Sequence, residues 1–94
     1  MIADVPSSRT LTLQNKRGLH ARASAKFVEC AGGFDAQVTV RHDGHEAGGT
    51  SILSLMMLAA PCGSTLELSA DGPEAAAALD ALETMVNDKF DEGE

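Results

Sequence analysis

Ninety-four residues with a formal net charge of −7 make one domain with a single modest core. They argue against general nucleic-acid binding, which needs a broad basic face. The composition is 44% hydrophobic with only three Phe and no Trp or Tyr, so the core must rest on Leu, Val, Ile, Met and Ala. Cys30 and Cys62 lie far apart and have no metal-ligand spacing. Neither a disulfide scaffold nor a metal site is therefore expected, and a reduced, cytoplasmic protein is. The opening "MIADVPSSRT" has no basic n-region or apolar h-region, so no signal peptide is expected, and no apolar run suggests membrane insertion.

Residues 1–8 read as a short frayed lead. "RTLTLQ" (9–14) alternates, with Leu11 and Leu13 on one face and Thr10 and Thr12 on the other, as a half-buried strand does. From about His20 the period becomes helical and places Ala23, Phe27, Cys30 and Ala31 on one face, which makes Cys30 a core residue. Gly32-Gly33 is expected to end that helix in a left-handed turn. "FDAQVTVRH" (34–42) alternates again with Ala36, Val38 and Val40 inward, and Asp43-Gly44 signals a two-residue hairpin. A weak return strand, "HEAGG", should lie at an edge. "TSILSLMML" (50–58) is a short helix capped by Thr50 or Ser51.

"STLELSA" (64–70) is a strand with Leu66 and Leu68 inward. "DGPEAAAALDALETMVNDKF" (71–90) is a helix with Pro73 in its first turn and a stripe of Leu79, Leu82 and Val86. The order β-α-β-β-α-β-α, with short strands each polar on one face, predicts an α+β fold: an antiparallel four-stranded sheet covered by helices on one face. The domain spans 9–90, and 91–94 is an acidic tail. With Asp88, Asp91, Glu92 and Glu94, that end reads as solvated and frayed.

"NKRGLHARASAKF" (15–27) holds four of the seven Lys and Arg residues (Lys16, Arg17, Arg22 and Lys26) around His20. His20 follows a glycine-containing loop where the first helix should begin, and a helix start offers free N–H groups and partial positive charge. Arg17 and Arg22 can approach whatever the imidazole holds, and Gly18 lets the backbone bend close. Like charges and the helix end disfavour an imidazolium, leaving a neutral, nucleophilic ring. The cluster suits a phosphoryl group carried on nitrogen, for which positioning and charge compensation matter most. No neighbouring carboxylate or ligand set is evident in the sequence to promote hydrolysis. The residues alone equally allow a cap histidine in a solvated basic turn.

At these residues the chain resembles the HPr family, the histidine phosphocarriers of the bacterial phosphotransferase system. "GLHAR" (18–22) matches the family's active-site motif. "TSILSLMML" followed by "CGSTLELSADGPEAAAALDAL" resembles its serine-bearing helix, last strand and last helix, so the likeness covers about 9–90. It implies an open-faced β-sandwich in which His20 takes a phosphoryl group on Nδ1 from Enzyme I, ultimately from phosphoenolpyruvate, and passes it to an enzyme IIA domain. It implies a monomeric carrier without a cofactor rather than an enzyme. Arg22 then compensates the phosphate, and Ser51 falls where some members carry a phosphoserine made by HPr kinase/phosphorylase. "NKRGLHAR", "GFDA" (33–36) and "FDEGE" look closer to the nitrogen-branch carrier, NPr, than to the sugar-transport one. Two positions depart from the pattern: Ala23 stands where the family usually has proline, and Gly48-Gly49-Thr50 stands where kinase-regulated members have a basic residue before the serine.

The 50–58 helix is apolar nearly all round, with only Ser54 polar among Ile52, Leu53, Leu55, Met56, Met57 and Leu58. One side must cover the sheet. The other should be an exposed docking patch of Ile52, Leu53 and Met56. His42 and His45 flank the Asp43-Gly44 turn and are expected as exposed hairpin residues rather than a metal pair. Two other functions fit the chain less fully. A small acyl-phosphate hydrolase would need Asn15 as its catalytic group, and a regulatory binding module would use the apolar patch without phosphate.

Overall fold

The computed structural model describes residues 7–92. Strands β1 (Ser7–Thr12), β2 (Gln37–His42), β3 (His45–Gly48) and β4 (Thr65–Asp71) form one antiparallel sheet in the order β1-β4-β2-β3. Helices α1 (Ala21–Ala31), α2 (Ile52–Met57) and α3 (Ala75–Asn87) cover one face of it, the open-faced sandwich expected from the element order.

The register explains which face is covered. Leu11 lies opposite Leu66, Val38 opposite Ala70, and Val40 between Leu68 and Ala47. All seven are buried beneath the helices, where Phe27 of α1, Leu55 of α2 and Leu79, Leu82 and Val86 of α3 complete the core. The alternate strand positions, Thr10, Thr12, Arg41, Glu67 and Ser69 among them, face the open side and are exposed. Arg9 shares the helix face at the β1 edge. It reaches α3 with ion pairs of 2.7 Å to both Asp80 and Glu83.

Local chemistry sets the turns. Asp43 (φ 52°) and Gly44 (φ 83°) both take positive φ and close the β2–β3 hairpin, which leaves β3 at the sheet edge as expected. Ser51 Oγ accepts the Ser54 N–H at 3.2 Å and caps α2; Thr50 does not.

Several boundaries differ from expectation, among them the start of β2, at Gln37 rather than at Phe34. Ser7 and Ser8 belong to β1, since they pair with Ala70 and Ser69 of β4, while residues 1–6 of the expected lead lie outside the described residues. Gly32 ends α1 at φ −69°, a right-handed conformation, its N–H bonded to Val28 O rather than closing a left-handed turn. Helix α3 begins at Ala75, beyond Pro73. Gly72 (φ 128°) passes close to Asp35 O, and the Glu74 N–H donates to that oxygen at 3.0 Å, so this backbone serves the 34–36 turn before the helix can start. At the other end α3 stops at Asn87. Lys89, Phe90 and Asp91 then take φ of 57°, 53° and 63°, a left-handed turn that drives Phe90 into the core.

Candidate functional site

Gly18 makes the approach to His20 possible. Its φ is +65°, and a Cβ there would stand 2.2 Å from Ala60 O, so only glycine suits both the backbone and the space. The bend lets the Leu19 N–H donate to Ala60 O at 2.9 Å, which fastens the loop to the chain just past α2. The close approach expected of Gly18 is thus made to the protein's own backbone. Asn15, fully buried, holds the other side of the loop by donating from Nδ2 to Gly18 O at 2.7 Å.

His20 is the N-cap of α1. Its carbonyl accepts the Ser24 N–H at 2.9 Å, and its ring Nδ1 accepts the Arg22 N–H at 3.3 Å. The first-turn N–H groups of Ala21 and Ala23 make no hydrogen bond among the described residues, as a helix start dictates. The ring is partly open, its side chain 22% exposed. It lines a cleft of about 320 Å³ with Arg17, Arg22, Lys26, Asp91 and Glu92.

The structure therefore brings Arg17 and Arg22 to the same cleft as His20, and neither guanidinium makes an ion pair among the described residues. Lys16 is not among the residues lining it. Lys26 is, but its Nζ is committed to Phe90 O at 2.6 Å. An anion entering beside Nδ1 would meet free N–H groups, a helix start and two unengaged arginines.

The sequence reasoning missed Glu92. Its side chain is only 12% exposed, and its Oε2 lies 2.5 Å from His20 Nε2, while its Oε1 accepts from Asn15 Nδ2 at 3.2 Å. Burial pushes the Glu92 carboxyl up, but the hydrogen bonds to His20 and Asn15 outweigh it and hold the group below its usual range. The expectations of a solvated tail and of a histidine without a carboxylate neighbour are both corrected at this residue. The signal for it was Phe90, a lone aromatic in an acidic stretch, which folds the chain back over α1.

The other expected residues lie elsewhere. Ser51 caps α2. Ile52, Leu53 and Met56 are exposed on that helix, and Met57, which the sequence did not single out, is the most exposed of all at 75%. The Leu19–Ala60 bond ties the His20 loop to the chain that follows this helix. His42 and His45 pair across the hairpin, and no cluster of metal-ligating residues occurs among the described residues. Cys30 packs against the core and burial raises its thiol, whereas Cys62 is exposed.

The family profile for the "PTS HPr component phosphorylation site" matches residues 7–88. The chain belongs to the HPr family. The phosphocarrier protein HPr of Cupriavidus necator is 48% identical to it, with 92% of this chain and 97% of that protein covered. The phosphocarrier protein NPr of Escherichia coli is 41% identical, covering 89% and 94% respectively. Among solved structures, HPr from Thermoanaerobacter tengcongensis superposes with a TM-score of 0.88 at 36% identity, covering 92% of this chain and 97% of that one. The chain is thus an HPr-type phosphocarrier of the phosphotransferase system, with relatives named for both HPr and NPr. Among the described residues no helix is long and apolar enough to cross a membrane.

Proposed function

We propose that this protein accepts a phosphoryl group from Enzyme I on His20 and passes it to an enzyme IIA domain, as a cytoplasmic relay intermediate that turns over no substrate of its own. The observation that carries the proposal is the N-cap position of His20: its Nδ1 faces the start of α1 beside two guanidiniums that make no ion pair among the described residues. A phosphoryl group on Nδ1 would replace the ring as acceptor of the Arg22 N–H, and Arg22 and Arg17 would offset its charge of about −2.

Partners must reach Nδ1 while holding the protein, and the exposed apolar surface of α2 supplies that hold. Leu53 and Met57 are 68% and 75% exposed, Ile52 and Met56 flank them, and an unpartnered apolar patch of this kind favours a protein surface. Ser51 at the rim of the patch would carry any regulatory phosphate. A hydrolase reading is weaker, because both Glu92 oxygens are engaged and Asn15 Nδ2 is committed to the loop and to Glu92. Glu92, the carboxylate bonded to the ring, sits at Nε2 rather than Nδ1.

The test is reconstitution. With phosphoenolpyruvate and Enzyme I the protein should gain one acid-labile phosphoryl group and lose it on addition of a IIA domain. The rates across sugar-branch and nitrogen-branch IIA domains identify which branch it serves. Steady release of inorganic phosphate without a IIA domain would instead support the hydrolase.

A further inference from the structure

The segment that delivers Glu92 is built at a conformational cost. Three successive non-glycine residues, Lys89, Phe90 and Asp91, hold positive φ, a region such residues seldom occupy. Strain of this kind persists only where the surroundings over-determine it. Here Phe90 is fully buried, Lys26 Nζ donates to its carbonyl at 2.6 Å, and Asn15 Nδ2 donates to Glu92 at 3.2 Å. All three contacts converge on setting one carboxylate against one ring nitrogen.

The two ring contacts of His20 fix where its proton sits. Nδ1 accepts from the Arg22 N–H, so it carries a lone pair, and Nε2, 2.5 Å from a carboxylate oxygen, must be the donor. We infer that Glu92 is a positioning residue for phosphoryl transfer: it keeps the ring proton on Nε2, shields that nitrogen, and so assigns the phosphoryl group to Nδ1. The inference deepens the phosphocarrier proposal and rests on His20 being the acceptor.

The chemistry balances without any further group. The Nδ1 lone pair forms the N–P bond as the donor's bond to phosphorus breaks and its electron pair leaves with the donor. The ring keeps its Nε2 proton and becomes cationic, and Glu92 pairs that charge. In onward transfer the N–P bond breaks, the pair returns to Nδ1, and the ring departs as a neutral imidazole. Had the Nε2 proton been lost, it would have to depart as an imidazolate, a far poorer leaving group. Of the charged groups lining the cleft with His20, Arg17, Arg22 and Lys26 oppose a cationic ring, and of the acids Asp91 and Glu92 only Glu92 is bonded to it.

The test uses the full chain with 15N-labelled histidine and phosphoramidate, a small phosphoryl donor that releases ammonia and needs no Enzyme I. The wild type should carry its label on Nδ1 of His20 alone. Glu92→Ala, which uncovers the other nitrogen, should divide the label between Nδ1 and Nε2. Glu92→Gln keeps an acceptor but removes the charge, so the 31P signal, which follows loss of the Nε2 proton, should titrate about one pH unit lower than in the wild type. Glu92→Asp should restore much of that difference. An alanine variant labelled on Nδ1 alone, a glutamine variant with the wild-type midpoint, or wild type labelled on Nε2 overturns the inference. If these results hold but Enzyme I fails to label His20, the relay proposal falls and the role of Glu92 stands.

Discussion

Lys26 Nζ donates to the carbonyl oxygen of Phe90 across 2.6 Å, tying the middle of α1 to the left-handed turn that follows α3. The bond spans 64 residues of sequence, and it puts Phe90 under α1 and Glu92 over its N-terminus. Replacing Phe90 by Ala removes a fully buried ring and should cost about 3–5 kcal/mol. Urea unfolding measures it. A loss below about 1 kcal/mol would mean that the ring is not packed in the core as described.

Glu92 also links stability to pH. Its folded-state pKa lies below its ordinary value, so its ionised form stabilises the fold above that ordinary value. The contribution disappears as pH falls through the lower folded value. The stability difference between wild type and Glu92→Gln should therefore be full near neutrality and narrow in the acid range. Paired thermal melts from pH 7 to pH 3 check this, and a difference that widens on acidification would contradict it.

Arg22 and Arg17 differ in how they are held. Arg22 lies in the first turn of α1, whereas Arg17 sits on the loop before Gly18. Removing a charge-assisted contact to phosphate costs about 1.5–3 kcal/mol. Arg22→Ala should thus slow transfer to the IIA domain roughly ten- to a hundredfold if the contact tightens in the transition state. Arg17→Ala should cost less. Single-turnover transfer rates decide the matter, and wild-type rates in both variants would reduce the arginines to solubilising charge.

Ser51 joins the cap of α2 to the rim of its apolar surface. Aspartate also caps helices well, so Ser51→Asp should leave the melting temperature nearly unchanged. It should still slow Enzyme I-dependent labelling by placing charge at the proposed docking surface. Met56→Glu should slow it too, with Ser51 intact. Initial labelling rates at several protein concentrations, beside thermal melts, test both. Wild-type rates in the two variants would make Ser51 a cap and nothing more.

What the sequence revealed and what it hid have physical reasons. Period-two alternation fixed the inward set Leu11, Val38, Val40, Leu66 and Leu68, because a slip of one residue would expose the whole row. Asp43-Gly44 and Ser51 announced themselves because few residue types suit those conformations. His20, Arg17 and Arg22 were legible because they are close in sequence. Glu92 was not: its contact with His20 closes a gap of 72 residues, and no residue preference marks three left-handed positions at Lys89, Phe90 and Asp91. Phe90 fell at the end of the expected helix 71–90, although its side chain reaches the core from outside the helix. Gly32 misled in the opposite sense, since a glycine after a helix permits a left-handed turn without requiring one.

The most direct test of the account is where the phosphoryl group goes. The protein is incubated with phosphoenolpyruvate and Enzyme I, the intact mass is taken, and the labelled peptide is mapped under alkaline conditions that preserve phosphohistidine. The account predicts a single phosphoryl group on the peptide containing His20, and none on a folded His20→Ala variant. Label that survives in that variant, or that maps to His42 or His45, would contradict it.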